Sequence, residues 1–305
     1  MKRDLFRAIQ AGVIVALSAA SAPAQDKPLV ESFHTGAIET YEAQITIRTE
    51  IHSVSMETAG DKTYVKPSSH FAQVAFAWTS SRRILEVSSD GAANLEEVER
   101  PASAGCAIES GSDDDSRKLR EPLEDLCSRL RSAQPMRYAE EANGTIRNLS
   151  PDTALTFGED GPPLLAWWLR RNLRPSAILP ALPFQIGARS QRPIHVHDMT
   201  GSETTEWSEY APNASVATLH VVQQLSWPEP RAETSLGSAS GAPFGKTVFF
   251  ADSSTSVSLL DGTAVSSTRT ASRETTRVLD SIAGLPRAPE FSSKLTIVIT
   301  LRRTL

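Results

Sequence analysis

The sequence predicts a mostly-β, α+β fold: a long, curved, half-barrel-like antiparallel sheet, with two short helices and a proline-rich arm covering one face. Three observations predict it. Apolar and polar residues alternate with a period of two over unusually long stretches, as half-buried antiparallel strands require. The pattern recurs up to the last residues, so one continuous sheet is expected to gather the chain from end to end. Only two segments carry a helical period, and the second runs into a stretch with Pro175, Pro180 and Pro183, which cannot enter a sheet interior.

The chain opens on a predicted signal peptide, residues 1–24. Lys2, Arg3 and Arg7 precede an apolar run from Ala11 to Ala20, and Ala22 and Ala24 supply the small residues of a cleavage site. That run is too short to cross a bilayer. Residues 25–305 are expected to form a single β-rich secreted domain, in the periplasm or outside the cell. Its first strand places Tyr41, Ala43, Ile45, Ile47 and Ile51 on one parity and Glu42, Gln44, Thr46, Arg48 and Glu50 on the other. At the usual rise it spans roughly 37 Å. Ala72, Val74, Phe76 and Trp78 repeat the pattern, and a weaker strand follows at Ile84–Val87. Residues 99–115 are small and polar and predict a flexible connection. Leu119, Leu123, Leu126 and Leu130 then form one helical stripe behind an acidic run, Asp113–Asp115, which suits a helix N-terminus. Pro122 predicts a kink or a second start in this helix.

After a weak strand at 145–149 comes the second helix, Leu164–Leu173, with Asp160 and Pro163 before it and Pro175 as its stop. A weak strand is expected at 193–199 and a strong one at 216–227, where Ala217, Leu219, Val221, Leu225 and Trp227 share a parity. Residues 227–245 are rich in Pro, Gly and Ser and predict an exposed loop. A weak strand at 247–251 leads to a hairpin over 256–267 that turns at Asp261-Gly262. In the last strand Leu295, Ile297, Ile299 and Leu301 face one way.

Composition narrows the function. With 40% hydrophobic and 22% charged residues the chain is globular rather than disordered. Its formal net charge of −5 becomes more negative once Lys2, Arg3, Arg7 and Asp4 are removed with the signal. Scattered cations on an acidic chain argue against nucleic-acid binding, which needs them clustered. No later apolar run has the length of a membrane helix. The two cysteines, Cys106 and Cys127, are expected to pair in an oxidising compartment, stabilising the fold by roughly 3 kcal/mol. Sequons stand at Asn143, Asn148 and Asn213 and would mark surface loops in a eukaryotic secreted protein.

Catalytic signals are sparse. His195 and His197 in "IHVHD" would share one face of a strand, a spacing that can chelate a metal, with Glu203, Glu206 and His220 as further donors. The plainer reading turns Ile194 and Val196 inward and both histidines to water, and the expectation is no metal and no cofactor. There is no G-x-S-x-G elbow, no S-x-x-K and no glycine-rich phosphate loop. Paired acids for glycoside chemistry leave no fixed spacing to look for.

The segment "LLAWWLRRNL" carries the one unusual cluster. Leu165, Trp168, Leu169 and Leu173 fall on one helical face, with Trp167 beside it and Arg170, Arg171 and Arg174 on its flank. The arginines suit the helix C-terminus, and Trp167 is placed to stack on Arg171 one turn away. A membrane-surface helix or a catalytic wall is the alternative; a lid over the apolar face of the sheet is the favoured reading. Trp78, Trp167, Trp168, Leu169 and Leu173 are therefore the candidate ligand-binding residues. This architecture resembles the half-barrel of periplasmic lipoprotein carriers and related envelope lipid-binding proteins in overall form and secretion, with no shared motif. The expected function is non-enzymatic binding of a hydrophobic or lipid-like ligand. The alternatives are an envelope structural or interaction protein and a secreted, metal-dependent hydrolase.

Overall fold

Long alternating strands seek partners on both sides, and here they find them in one antiparallel sheet. The computed structural model describes residues 27–59, 62–131, 135–150, 163–196, 199–226, 231–232, 244–278 and 290–304. The predicted signal segment, 1–24, and most of 227–245 lie outside them. The order is β1 (Ile38–Ala59), β2 (Lys62–Val87), β3 (Ala93–Ser110), α1 (Asp114–Arg131), β4 (Met136–Glu140), β5 (Ile146–Ser150), α2 (Pro163–Asn172), β6 (Arg189–Val196), β7 (Met199–Ala211), β8 (Val216–Ser226), β9 (Arg231–Ala232), β10 (Phe244–Ser258), β11 (Ala264–Val278) and β12 (Glu290–Thr304). The strands assemble as β5-β4-β3-β2-β1-β12-β11-β10-β8-β7-β6, with β9 set off against β10. The sheet does not close, so β5 and β6 are its free edges.

Register follows the predicted parity. Ile45 stands opposite Phe76 on β2 and Ile299 on β12, and Ile47 opposite Val74 and Ile297. All six are buried. Each such side chain contributes about 1.5–3 kcal/mol on leaving water, and a one-residue slip would turn the whole row outward. Against this row pack Leu123 and Cys127 of α1, Trp168 and Leu169 of α2, and Leu173 just beyond it. Val196, Met199, Leu225 and Phe249 from the far side of the sheet join the same cluster. Residues of β2 and β6, far apart in the strand order, meet around α2 only because the sheet curls about it. Register shifts on β2 between Phe76 and Trp78 and between Ile84 and Glu86 add local twist.

One end of the curl is sealed by a second cluster. Leu29 from the leading segment and Ala177, Leu179 and Phe184 from the arm pack on Trp207, Ala217, Leu219, Val257 and Ala264. At the other end β1 and β2 outrun their neighbours. β12 follows β1 only to His52, and β3 follows β2 only from Ala72, so beyond these points the hairpin continues as a two-stranded ribbon to Ala59 and Lys62.

The mostly-β class, the two helices and the disulfide are as expected; several boundaries are not. Residues 99–115 were expected as a flexible connection, yet Glu99 to Ser110 belong to β3, which pairs with β2 at Glu99–Pro101 and again at Cys106–Ser110. Small residues suit that stretch because α1 lies close over it, tied by the Cys106–Cys127 bond across 21 residues. The strand expected at 193–199 is instead two strands, β6 and β7, turning between Val196 and Met199. α1 runs through Pro122 as one helix. Its N-terminus is capped by Asp113, which accepts the backbone N–H of Ser116 at 2.8 Å and meets His70 Nδ1 of β2 at 2.6 Å. No described helix is long and apolar enough to cross a membrane.

Candidate functional site

Curling brings the free edges face to face. Ile146, Arg147 and Asn148 of β5 and Ser190 and Arg192 of β6 line a single groove of about 760 Å³, a size in the range of small-molecule sites. The arm lies along it: Ile178, Leu179, Pro180, Ala181 and Leu182 supply the apolar wall. Pro180 keeps this segment extended, and its backbone is fixed from below. The Leu179 N–H donates to Asn143 at 2.9 Å. The buried Arg269 of β11 donates to the carbonyls of Asn172 (2.6 Å), Arg174 (2.9 Å) and Ser176 (2.8 Å) and to Ser267 Oγ (2.8 Å). Carbonyls at the end of α2 and in a proline-rich arm have no strand partner, so this guanidinium satisfies them. Arg269 is pushed down to about 10, first by burial and then by the like charge of Arg171.

Gly144 completes the rim. It sits at φ +79°, and a Cβ there would collide with the carbonyl oxygen of Ala177, so the β4–β5 turn and the arm meet only because this residue has no side chain.

The polar wall centres on Glu203 of β7, which is buried. Its Oε1 accepts from Arg192 Nε at 2.8 Å and Nη2 at 2.6 Å; its Oε2 accepts from Gln223 at 2.6 Å and faces Arg171 Nη2 at 3.1 Å. Burial pushes this carboxyl up, but Arg171, Gln223 and Arg192 together hold it below the ordinary range. Arg171 lies over the Trp167 ring, 5.8 Å from its centroid, as its helical spacing predicts. Behind Arg171, Ile178, Glu203 and Thr205 a chamber of about 40 Å³ continues inward to Trp168, Ser176 and Arg269; it has room for water and no more.

Elsewhere the concave face carries buried charge. Arg82 of β2 binds Glu31, Glu39 and Glu140, the last at 2.9 Å. Arg174 binds Glu99 at 2.8 Å and lies 3.4 Å from Glu97. Glu97 also accepts from Ser80 and from Tyr138 (3.0 Å). Burial pushes Glu31, Glu99 and Glu140 above the ordinary range against their arginines. None of these groups lines the groove or the chamber, so their perturbed titration belongs to the scaffold.

The predicted ligand residues do not line the groove, and Trp78 instead borders a separate cleft of about 480 Å³ with Ala43 and Leu301. Trp168, at 1% exposure, and Trp78, Leu169 and Leu173 are buried in the main cluster, and Trp167 packs against it half-buried. α2 covers the apolar face, and Trp168 reaches only the inner chamber. His195 is exposed on the edge strand β6, and His197 lies outside the described residues. Of the other donors weighed for a metal, Glu203 is engaged by its arginines and His220 by Asp252 at 2.7 Å, while Glu206 stands in register with Arg189 and His220. Among the described residues no group of three or more His, Cys, Asp or Glu is arranged to hold a metal ion. Sequence reasoning missed the groove because it depends on two edges far apart in the chain; the one local signal was the apolar, proline-broken arm beside Arg171. Compared with known proteins, the sequence matches no family model and no curated protein.

Proposed function

We propose that this is a secreted, non-enzymatic binding protein that carries a hydrophobic, lipid-like ligand in the groove between β5 and β6. One observation carries the reading: about 760 Å³ of space lies at the seam of a curled sheet, and one wall of it is an apolar arm. Secretion rests on the signal-like N-terminus and agrees with a formed disulfide. The ligand lies outside α2, and the tryptophans hold the helix that bears Arg171 rather than forming the contact surface. Native mass spectrometry of gently purified protein, with solvent extraction, tests this. A bound amphiphile is expected, lost in Leu182→Glu and kept in Leu260→Glu, whose side chain is 84% exposed and off the groove. Protein that carries no small molecule and takes up no fluorescent acyl probe ends the proposal.

The ribbon beyond His52 favours a second reading, an envelope protein that offers strands to a partner. A specific cross-linked partner in intact cells, lost when residues 53–68 are shortened, is its expected outcome. A catalytic role has less support, since the carboxyls raised by burial have no access to the groove.

A further inference from the structure

Resting on the groove as the ligand site, we infer that its occupant is an amphiphile with an anionic head, held by Arg171 and Arg192 beside Glu203, with its chain along Ile178–Leu182. The charges in the groove do not balance. Arg147, Arg171 and Arg192 line it, with Glu203 as the acidic lining residue and Glu141 paired to Arg147 behind the rim. Arg269 adds a further cation through the chamber wall, bonded to carbonyl and hydroxyl oxygens rather than to a carboxylate. Two guanidiniums thus share one carboxylate, and each has donors beyond those that Glu203 takes.

Position matters as much as count. Glu203 is 4% exposed, whereas Arg171 is 20% and Arg192 58% exposed. The anion lies behind and the cations lie in front, so the groove meets a ligand with N–H donors. A carboxylate or phosphate between them gains charge-assisted, bidentate hydrogen bonds. Thr205 and Ser190 flank the same spot, and the apolar arm begins at once beyond Arg171. An uncharged head leaves these donors to water, and a cationic head meets like charge.

Binding of four twelve-carbon probes to the full chain tests this: dodecanoate, dodecyl phosphate, dodecanol and dodecyltrimethylammonium, each below its micelle concentration at 0.15 M salt. At least one anion is expected to bind about tenfold tighter than dodecanol, and the ammonium weakest. Carboxylate preferred over phosphate marks a free fatty acid; the reverse marks a phospholipid. Arg192→Gln, a largely exposed site, removes the preference for the anions over dodecanol. Glu203→Gln releases both guanidiniums and raises anion affinity, which loss of a merely structural group would not do. Dodecanol binding as tightly as both anions, with Arg192→Gln silent, overturns the anionic head and leaves the groove standing. Binding of no probe overturns both.

Discussion

Glu31→Gln is expected to abolish a pH dependence of stability that the wild-type chain carries. Arg82, at 0% exposure, gives Nη2 to Glu31, Nε to Glu39 and Nη1 to Glu140, and Arg303 reaches Glu39 at 3.2 Å. Two cations thus face three carboxyl groups. Glu31 Oε2 and Glu140 Oε1 are both buried with no donor. A proton held by Glu31 and given to Glu140 removes the excess charge and satisfies both oxygens. In line with this, Glu31 is pushed well above its ordinary value, by burial first, against Arg82 and with help from Glu140 and Glu39. A carboxyl with a raised folded pKa stabilises fully below the unfolded value and progressively less as pH rises toward the folded one. The loss is about 1.4 kcal/mol per pH unit. Glutamine keeps an acceptor for Arg82 and a donor for Glu140 and has no proton to lose. Between pH 5.5 and 7 the variant is therefore expected to gain on the wild type, by at most about 2 kcal/mol. Urea unfolding of both proteins at the two pH values measures it, and titrations remote from this cluster cancel in the difference. A difference that stays constant across that range shows that Glu31 is already ionised and refutes the charge count.

Three further outcomes check the scaffold. Trp168→Ala, in the main cluster, should cost about 3–5 kcal/mol by urea titration. Replacing Cys106 and Cys127 together by serine should cost about 3 kcal/mol, since the bond closes a loop of 21 residues between β3 and α1; an unchanged midpoint would mean that His70 and the apolar contacts hold α1 alone. Gly144→Ala should lower the melting temperature and raise amide exchange at Leu179, whose N–H is held in the same turn; normal exchange there would refute the contact between turn and arm.

The sheet was legible wherever parity was apolar. Tyr41 to Ile51 and Leu295 to Leu301 announce strands because inward positions hold aliphatic side chains. The same parity continues past both limits, and there it was obscured by chemistry. Glu39 follows Tyr41 inward, Ser80 and Arg82 follow Trp78, and Glu97 follows Leu95; all are buried. Charged residues at inward positions read as surface in a sequence, because their burial depends on partners far away, Arg82 on Glu140 and Arg174 on Glu99. Extending each strand's parity across its charged positions is the signal that would have found them. β3 escaped for a related reason, since Pro101 and Gly105 in a small-residue run read as a loop. The lid was legible as an amphipathic helix. That it packs on the concave face and leaves a groove at the seam depends on how tightly the sheet curls, and the alternation of residues along a strand does not encode curl.

An open sheet must manage two edges, and the way this one does so explains where its groove lies. β5 has only five residues, and β6 carries Arg192 beside Pro193, which lacks the N–H that a pairing strand needs. Neither edge is a good template for the other. The arm then stands where a closing strand would run, with Pro175, Pro180 and Pro183 denying it a ladder of its own. Its carbonyls are bound by Arg269 and the side chain of Arg174 is tied to β3, so it is fixed to the inner wall and holds the edges apart. Space persists at the seam because filling it would require one edge to pair, and each element there is chemically unable to do so. The groove is thus a consequence of how the edges are protected, and the arginines that protect them are the same groups that would meet a ligand.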